Sequence, residues 1–156
     1  MGRRIDIGGY FEKLTRRARR TSGGARRSGP GGSSSVAIEY SPNRDDDPDP
    51  GEVVWTWVPY EEDPTQGKDR PVVVIGRRGA KLVGVPLTTK SDDREAQVNV
   101  GTGGWDPQLR VSYARIWRML DVEPDRMRRE GSTLDRRRFD EVTAAVDHYY
   151  DVTYPT

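Results

Sequence analysis

Two short polar runs in the middle of the chain hold the side chains best suited to chemistry: Lys68-Asp69-Arg70-Pro71 and Thr88-Thr89-Lys90. Each adjoins an apolar run, Pro71 to Ile75 in the first case and Leu82 to Leu87 in the second. If those runs are neighbouring strands, one arginine and a hydroxyl–ammonium cluster meet at the strand ends, where a small site can form. A guanidinium presents a planar fork of donors that fits two oxygens of a phosphate. Other chemistries lack their residues. The chain has no cysteine, hence no thiol nucleophile, thiolate metal site or disulfide. Its single histidine, His148, falls on the polar side of a helical pattern and reads as surface, so a two-histidine acid–base pair is unavailable. The acids of Glu61-Glu62-Asp63 and Asp92-Asp93 lack the spacing of metal ligands and read as solvated loop charge. No metal or other cofactor is expected.

The elements that must position these residues are mostly short strands. Val53 to Val58 and Pro71 to Ile75 are rich in β-branched and aromatic residues, as strands buried on both faces should be. The polar loop between them is expected to close with Lys68-Asp69-Arg70-Pro71. Arg77-Arg78-Gly79-Ala80 suits a hairpin turn with Gly79 at positive φ, and Leu82 to Leu87 returns as the third strand. Gln97 to Val100 reads as a short fourth strand, followed by the loop Gly101 to Gly104. Arg115 to Leu120 reads as a strand with one wet face. Ser132 is the expected N-cap of a final helix, with Asp135 three residues on. In that helix Phe139, Val142, Ala145, Val146 and Tyr149 form an apolar stripe. The pattern predicts a mainly β domain: a compact, strongly bent sheet with a helix packed at its end.

Charge divides the 156 residues into three parts. Residues 1–35 carry nine Arg or Lys against two acids, and residues 36–50 carry one Arg against five acids. The remainder is close to neutral, so an overall charge of +1 conceals a basic arm and an acidic linker. Residues 1–50 are therefore expected to be a disordered extension, since their Gly, Ser, Arg and Asp content buries too little apolar surface. Tyr10, Phe11 and Leu14 among arginines allow a transient helical turn there. The domain is expected over residues 51–156. Arg3-Arg4 precedes no apolar stretch, so a secretory signal is not expected. With no apolar run of membrane-spanning length, a cytoplasmic protein without membrane contact is the expectation.

The segment Gly51 to Lys90 resembles the MazF/PemK family, metal-independent endoribonuclease toxins of toxin–antitoxin systems. Gly51-Glu52-Val53 matches the family's opening strand, Arg70 to Ile75 its Arg-Pro-Val block, and Pro86-Leu87-Thr88 its Pro-Leu-Thr ending. Weaker similarity runs through Tyr113 to Asp121 and the last helix, covering residues 51–153. The resemblance implies an SH3-like barrel of the MazF/CcdB type with a C-terminal helix, forming homodimers. It also implies a single-stranded RNA substrate and a cognate antitoxin partner. Arg70 stands at the family's catalytic arginine and Thr88 at its catalytic threonine. Three departures are visible. Thr65 stands where many members carry a glutamate, the turn from Arg77 to Lys81 is short, and the 50-residue extension lies outside the family core.

RNA cleavage asks little of such a site, because the 2′-OH beside the scissile phosphate is an internal nucleophile. The protein must align it with the leaving oxygen and stabilise charge on the phosphorane. Arg70 suits the second task; an arginine is almost never neutral at pH 7, so it is not expected to act as a base. Gln66, Lys68, Thr89 and Lys90 are candidates for phosphate or base contacts. Trp57 and Tyr60 are candidates for base stacking, whereas Trp55 is assigned to the core. Two alternatives keep the fold without the chemistry. One is a poison of a protein target, as in the CcdB-like relatives that bind DNA gyrase; the other is a non-catalytic RNA-binding homologue.

Overall fold

A computed structural model of the chain describes residues 3–7, 35–43 and 47–153, apart from the side chains of 129–131. The fold is mainly β. Its strands are β1 (Arg4–Asp6), β2 (Ser35–Ile38), β3 (Glu52–Pro59), β4 (Gly67–Arg78), β5 (Lys81–Thr88), β6 (Gln97–Gly101), β7 (Ser112–Arg115), β8 (Leu120–Val122) and β9 (Met127–Thr133). Helix α1 (Arg136–Thr153) follows. The sheet runs β1-β2-β4-β5-β7-β6, with β3 between β4 and β9 and with β8 beside β5. Every pairing is antiparallel. The sheet curls into a barrel-like form without closing.

Strands β3 to β5 lie between two apolar layers, which explains their near-continuous hydrophobic sequence. Val53, Val73, Ile75, Val85 and Leu87 join the larger core with Phe139, Val142 and Val146 of α1. Val54, Val58, Val72, Val74, Leu82 and Val122 form a smaller one on the opposite face. Each fully buried valine or isoleucine contributes about 1.5–3 kcal/mol. The β4–β5 turn is the expected one: Arg78 pairs with Lys81 across Gly79-Ala80, and Gly79 takes φ +62°.

Five expectations are corrected. The polar loop after β3 spans only residues 60–66, because Lys68, Asp69 and Arg70 already pair with Val58, Trp57 and Thr56 inside β4. Residues 116–119 form a turn, not a strand; the strand lies earlier, at Ser112–Arg115. Ser132 belongs to β9, and Asp135 starts the helix, its Oδ1 accepting the Arg138 N–H at 2.8 Å. The buried face of α1 is Phe139, Val142, Thr143, Val146 and Tyr150, with Ala145 and Tyr149 only partly covered.

The fifth correction concerns the extension. β1 pairs with β2, and β2 with the C-terminal part of β4. Ile5 and Ile7 are 1% exposed and, with Val36 and Ile38, belong to the larger core. At Gly76 the approach of β2 is so close that a Cβ would stand 2.1 Å from the Ala37 carbonyl oxygen. Tyr40 tilts against Phe139 with ring centroids 4.9 Å apart, and its hydroxyl donates to the Leu134 carbonyl at 2.7 Å. Part of the segment expected to be disordered is thus folded onto the barrel. The expected helical turn at Tyr10 to Leu14, the Gly/Ser run and Asp45-Asp46 lie outside the described residues.

Candidate functional site: a cationic cavity where two strands part

The β4–β5 ladder ends at the pair Val72–Pro86. Pro71 and Pro86 lack the N–H that would extend it. Past that point Gly67 to Pro71 pairs only with β3, while Leu87 and Thr88 of β5 pair with Ala114 and Tyr113 of β7. A cavity of about 680 Å³ opens there. It gathers Lys68, Arg70, Thr88, Thr89 and Lys90 from the two polar runs. Gln66, Trp57 and Tyr60 are not in its lining. Trp57 is 40% exposed on β3, and Tyr60 is tied by its N–H to the Gln66 carbonyl at 2.8 Å in the 60–66 loop. Trp55, assigned to the core, is half-buried and lines the cavity, its indole donating to the Trp105 carbonyl at 2.9 Å.

Charge in the cavity is sorted. Arg94 pairs with Asp92 at 3.1 Å, Arg110 with Asp106 at 2.8 Å, Arg115 with Glu95 at 3.2 Å and Arg128 with Asp69 at 2.9 Å. Among the described residues no carboxylate pairs with Lys68, Arg70 or Lys90, so these three, opposed in the lining by the Asp93 carboxylate, leave an excess of positive charge. Burial, then the nearby Arg115 charge, lowers the Arg70 pKa, with Tyr60 and Glu95 opposing. Lys68 is lowered first by Arg70, then by burial, Lys90 and Arg115. These are like charges held together against their repulsion, and an anion between them relieves it. Thr88 Oγ1 accepts the Lys90 N–H at 3.1 Å, which fixes the hydroxyl and leaves its own proton to donate. Thr65 does not line the cavity; its hydroxyl donates to Asp63 at 2.6 Å in an exposed loop.

Sequence reasoning missed Arg115, Glu95 and the loop before β7. In that loop Asp106 is buried, accepts N–H bonds from Gln108 and Arg110, and has its pKa lowered chiefly by the Arg110 side chain. Trp105, also buried, donates to Ser112 Oγ at 3.0 Å. The available signal was pairing: whichever strand meets Thr88 must bring its own side chains to the site, and Arg115 directly follows Ala114, the partner of Leu87. Among the described residues no group of three or more His, Asp or Glu side chains is placed to hold a metal ion.

A barrel-like, mainly β sheet with a terminal helix and a charged cavity of about 680 Å³ marks a small β-barrel class of domain. The chain belongs to the PemK-like, MazF-like toxins of type II toxin–antitoxin systems, whose family profile matches residues 49–150. β1 and β2 lie before the match. No curated protein matches the chain. Membership implies an antitoxin partner. Among the described residues no helix is long and apolar enough to cross a membrane.

Proposed function

We propose that the protein is a metal-independent, sequence-selective endoribonuclease that cleaves single-stranded RNA through its own 2′-OH and is held inactive by a cognate antitoxin. The observation that carries this reading is the convergence of Lys68, Arg70 and Lys90, without carboxylate partners among the described residues, on one cavity with the Thr88 hydroxyl. Arg70 binds two non-bridging oxygens of the scissile phosphate, and its contacts strengthen as the phosphorane gathers charge. Thr88 donates to the same phosphate and holds it in line with the 2′-OH. Thr89, Lys68 and Lys90 take the phosphate and its neighbours. Gln66, Trp57 and Tyr60, outside the cavity lining, meet flanking nucleotides, the aromatic rings by stacking. The working form is a cytoplasmic homodimer.

Purified protein incubated with mixed-sequence RNA in excess EDTA should give discrete fragments with 2′,3′-cyclic phosphate and 5′-OH ends. A substrate with 2′-deoxyribose at the scissile position should resist. Cleavage of that substrate at the normal rate would require an external nucleophile and sink the mechanism. Intact ribose RNA would point instead to a non-catalytic member of the fold.

A further inference from the structure

Glu95 has no task in the reaction as described, yet four donor hydrogens converge on its carboxylate. Arg115 donates to Oε2 through Nε at 3.3 Å and Nη2 at 3.2 Å. The Trp117 indole N–H donates to the same oxygen. Gln97 donates to Oε1 at 2.9 Å. Gln97 also accepts the Asp92 N–H at 3.1 Å and donates to the Lys90 carbonyl at 3.1 Å, so the loop carrying Glu95 is braced at both ends. The Arg115 guanidinium lies over the Trp117 ring, 4.8 Å from its centroid. It is thus fixed at one edge by Glu95 and on one face by Trp117.

This pair differs from two others at the cavity. Arg94–Asp92 and Arg110–Asp106 join residues two and four apart, and each arginine is more than half exposed. Arg115–Glu95 joins residues 20 apart, tying the loop after β5 to β7, with side chains 22% and 21% exposed. A local exposed pair neutralises charge; a shielded long-range one fixes a direction. Glu95 engages the Nε and Nη2 donors, so the Nη1 edge of Arg115 stays available. Arg115 and Arg70 line the same cavity.

We infer that Glu95 is a positioning residue for RNA cleavage: by clamping Arg115 it aims that guanidinium's free edge at the phosphate held by Arg70, giving the phosphorane a second preorganised donor. The inference rests on the cleavage reading above. Two guanidiniums facing one phosphate repel each other in the empty site and are stabilised most when the phosphorane carries the greatest charge. A guanidinium free to swing would lose that preorganisation, and small misplacements are costly in rate.

The test is a mutant cycle in the full chain: Glu95→Gln, Arg115→Ala and the double variant. It reads single-turnover cleavage of one RNA oligonucleotide and affinity for its uncleavable 2′-deoxy counterpart. Glu95→Gln keeps size and an acceptor oxygen but loses the charge. It should slow cleavage by about 10- to 100-fold, with affinity for the deoxy oligonucleotide changed by less than about threefold. The double variant should cleave as slowly as Arg115→Ala alone, and the pH–rate profile of Glu95→Gln should keep its shape. Glu95→Asp, which retains the charge, should recover part of the rate and serves if Glu95→Gln does not fold. Wild-type rate in Glu95→Gln, or losses that multiply in the double variant, would overturn the inference while leaving the cleavage reading intact. A displaced acid limb in the pH profile would also overturn it, by making Glu95 the proton acceptor. RNA left intact by the wild-type protein defeats the cleavage reading first and this role with it.

Discussion

The two halves of β4 have different neighbours, and so do different work. Val72 to Arg78 is enclosed, with β5 along one edge and β3, then β2, along the other. Where β3 leaves off, backbone bonds from Gly51 and Glu39 to the Val74 and Ile75 carbonyls continue the seam. Gly67 to Pro71 pairs only with β3 and carries Lys68 and Arg70 into the cavity. One continuous strand therefore supplies the barrel's most buried wall and its most charged edge. A rigid anchor a few residues away is what a preorganised guanidinium needs.

Substitutions on either side of Pro71 should separate the two roles. Arg70→Ala should give the largest effect, a loss of about 10²–10³ in cleavage rate, with the thermal midpoint nearly unchanged because the side chain belongs to neither core. A folded Arg70→Ala protein that cleaves normally would move the site elsewhere. Arg70→Lys should also be slow, since an ammonium cannot reproduce the fork. In the other half, Ile75→Ala should lose about 2–5 kcal/mol of stability by denaturant titration. At temperatures where it remains folded it should keep most of its cleavage rate. If Ile75→Ala instead lost activity while folded, the two halves would not be separable. The smallest effect is expected for Lys68→Ala, which should leave stability alone. The slope of log affinity for single-stranded RNA against log salt should become shallower by about 0.7, one phosphate contact. An unaltered slope would take Lys68 out of the RNA interface.

Much of this division was legible beforehand. The β-branched run after Pro71, the Gly79 turn and the return to Thr88 are local signals, and the prolines Pro71 and Pro86 mark where the ladder stops. Lys68 to Arg70 reads as loop because a strand open along one edge needs no apolar side chains there. Arg115 and Glu95 were hidden for another reason: β6 and β7 bring them together across 20 residues, and neither carries a local motif. The strands β1 and β2 are three and four residues long. Their alternating Ile and Val residues are diluted by the arginine-, glycine- and aspartate-rich sequence around them, so composition averaged over 50 residues reads as disorder. The helix start was misplaced by three residues because Ser132 and Asp135 are both good caps and only tertiary pairing keeps Ser132 in β9.

The union of β1 with α1 bears on how the protein is made. Arg3 meets Asp147 at 2.8 Å, 144 residues apart in sequence, and Ile5 shares a core with Val142 and Val146. During synthesis β1 must therefore wait, its apolar side uncovered, for α1, which lies far downstream in the chain. Contacts of such long sequence separation form slowly, because the loop must close before they contribute anything. The barrel-like sheet thus gains its full core only once α1 has been made.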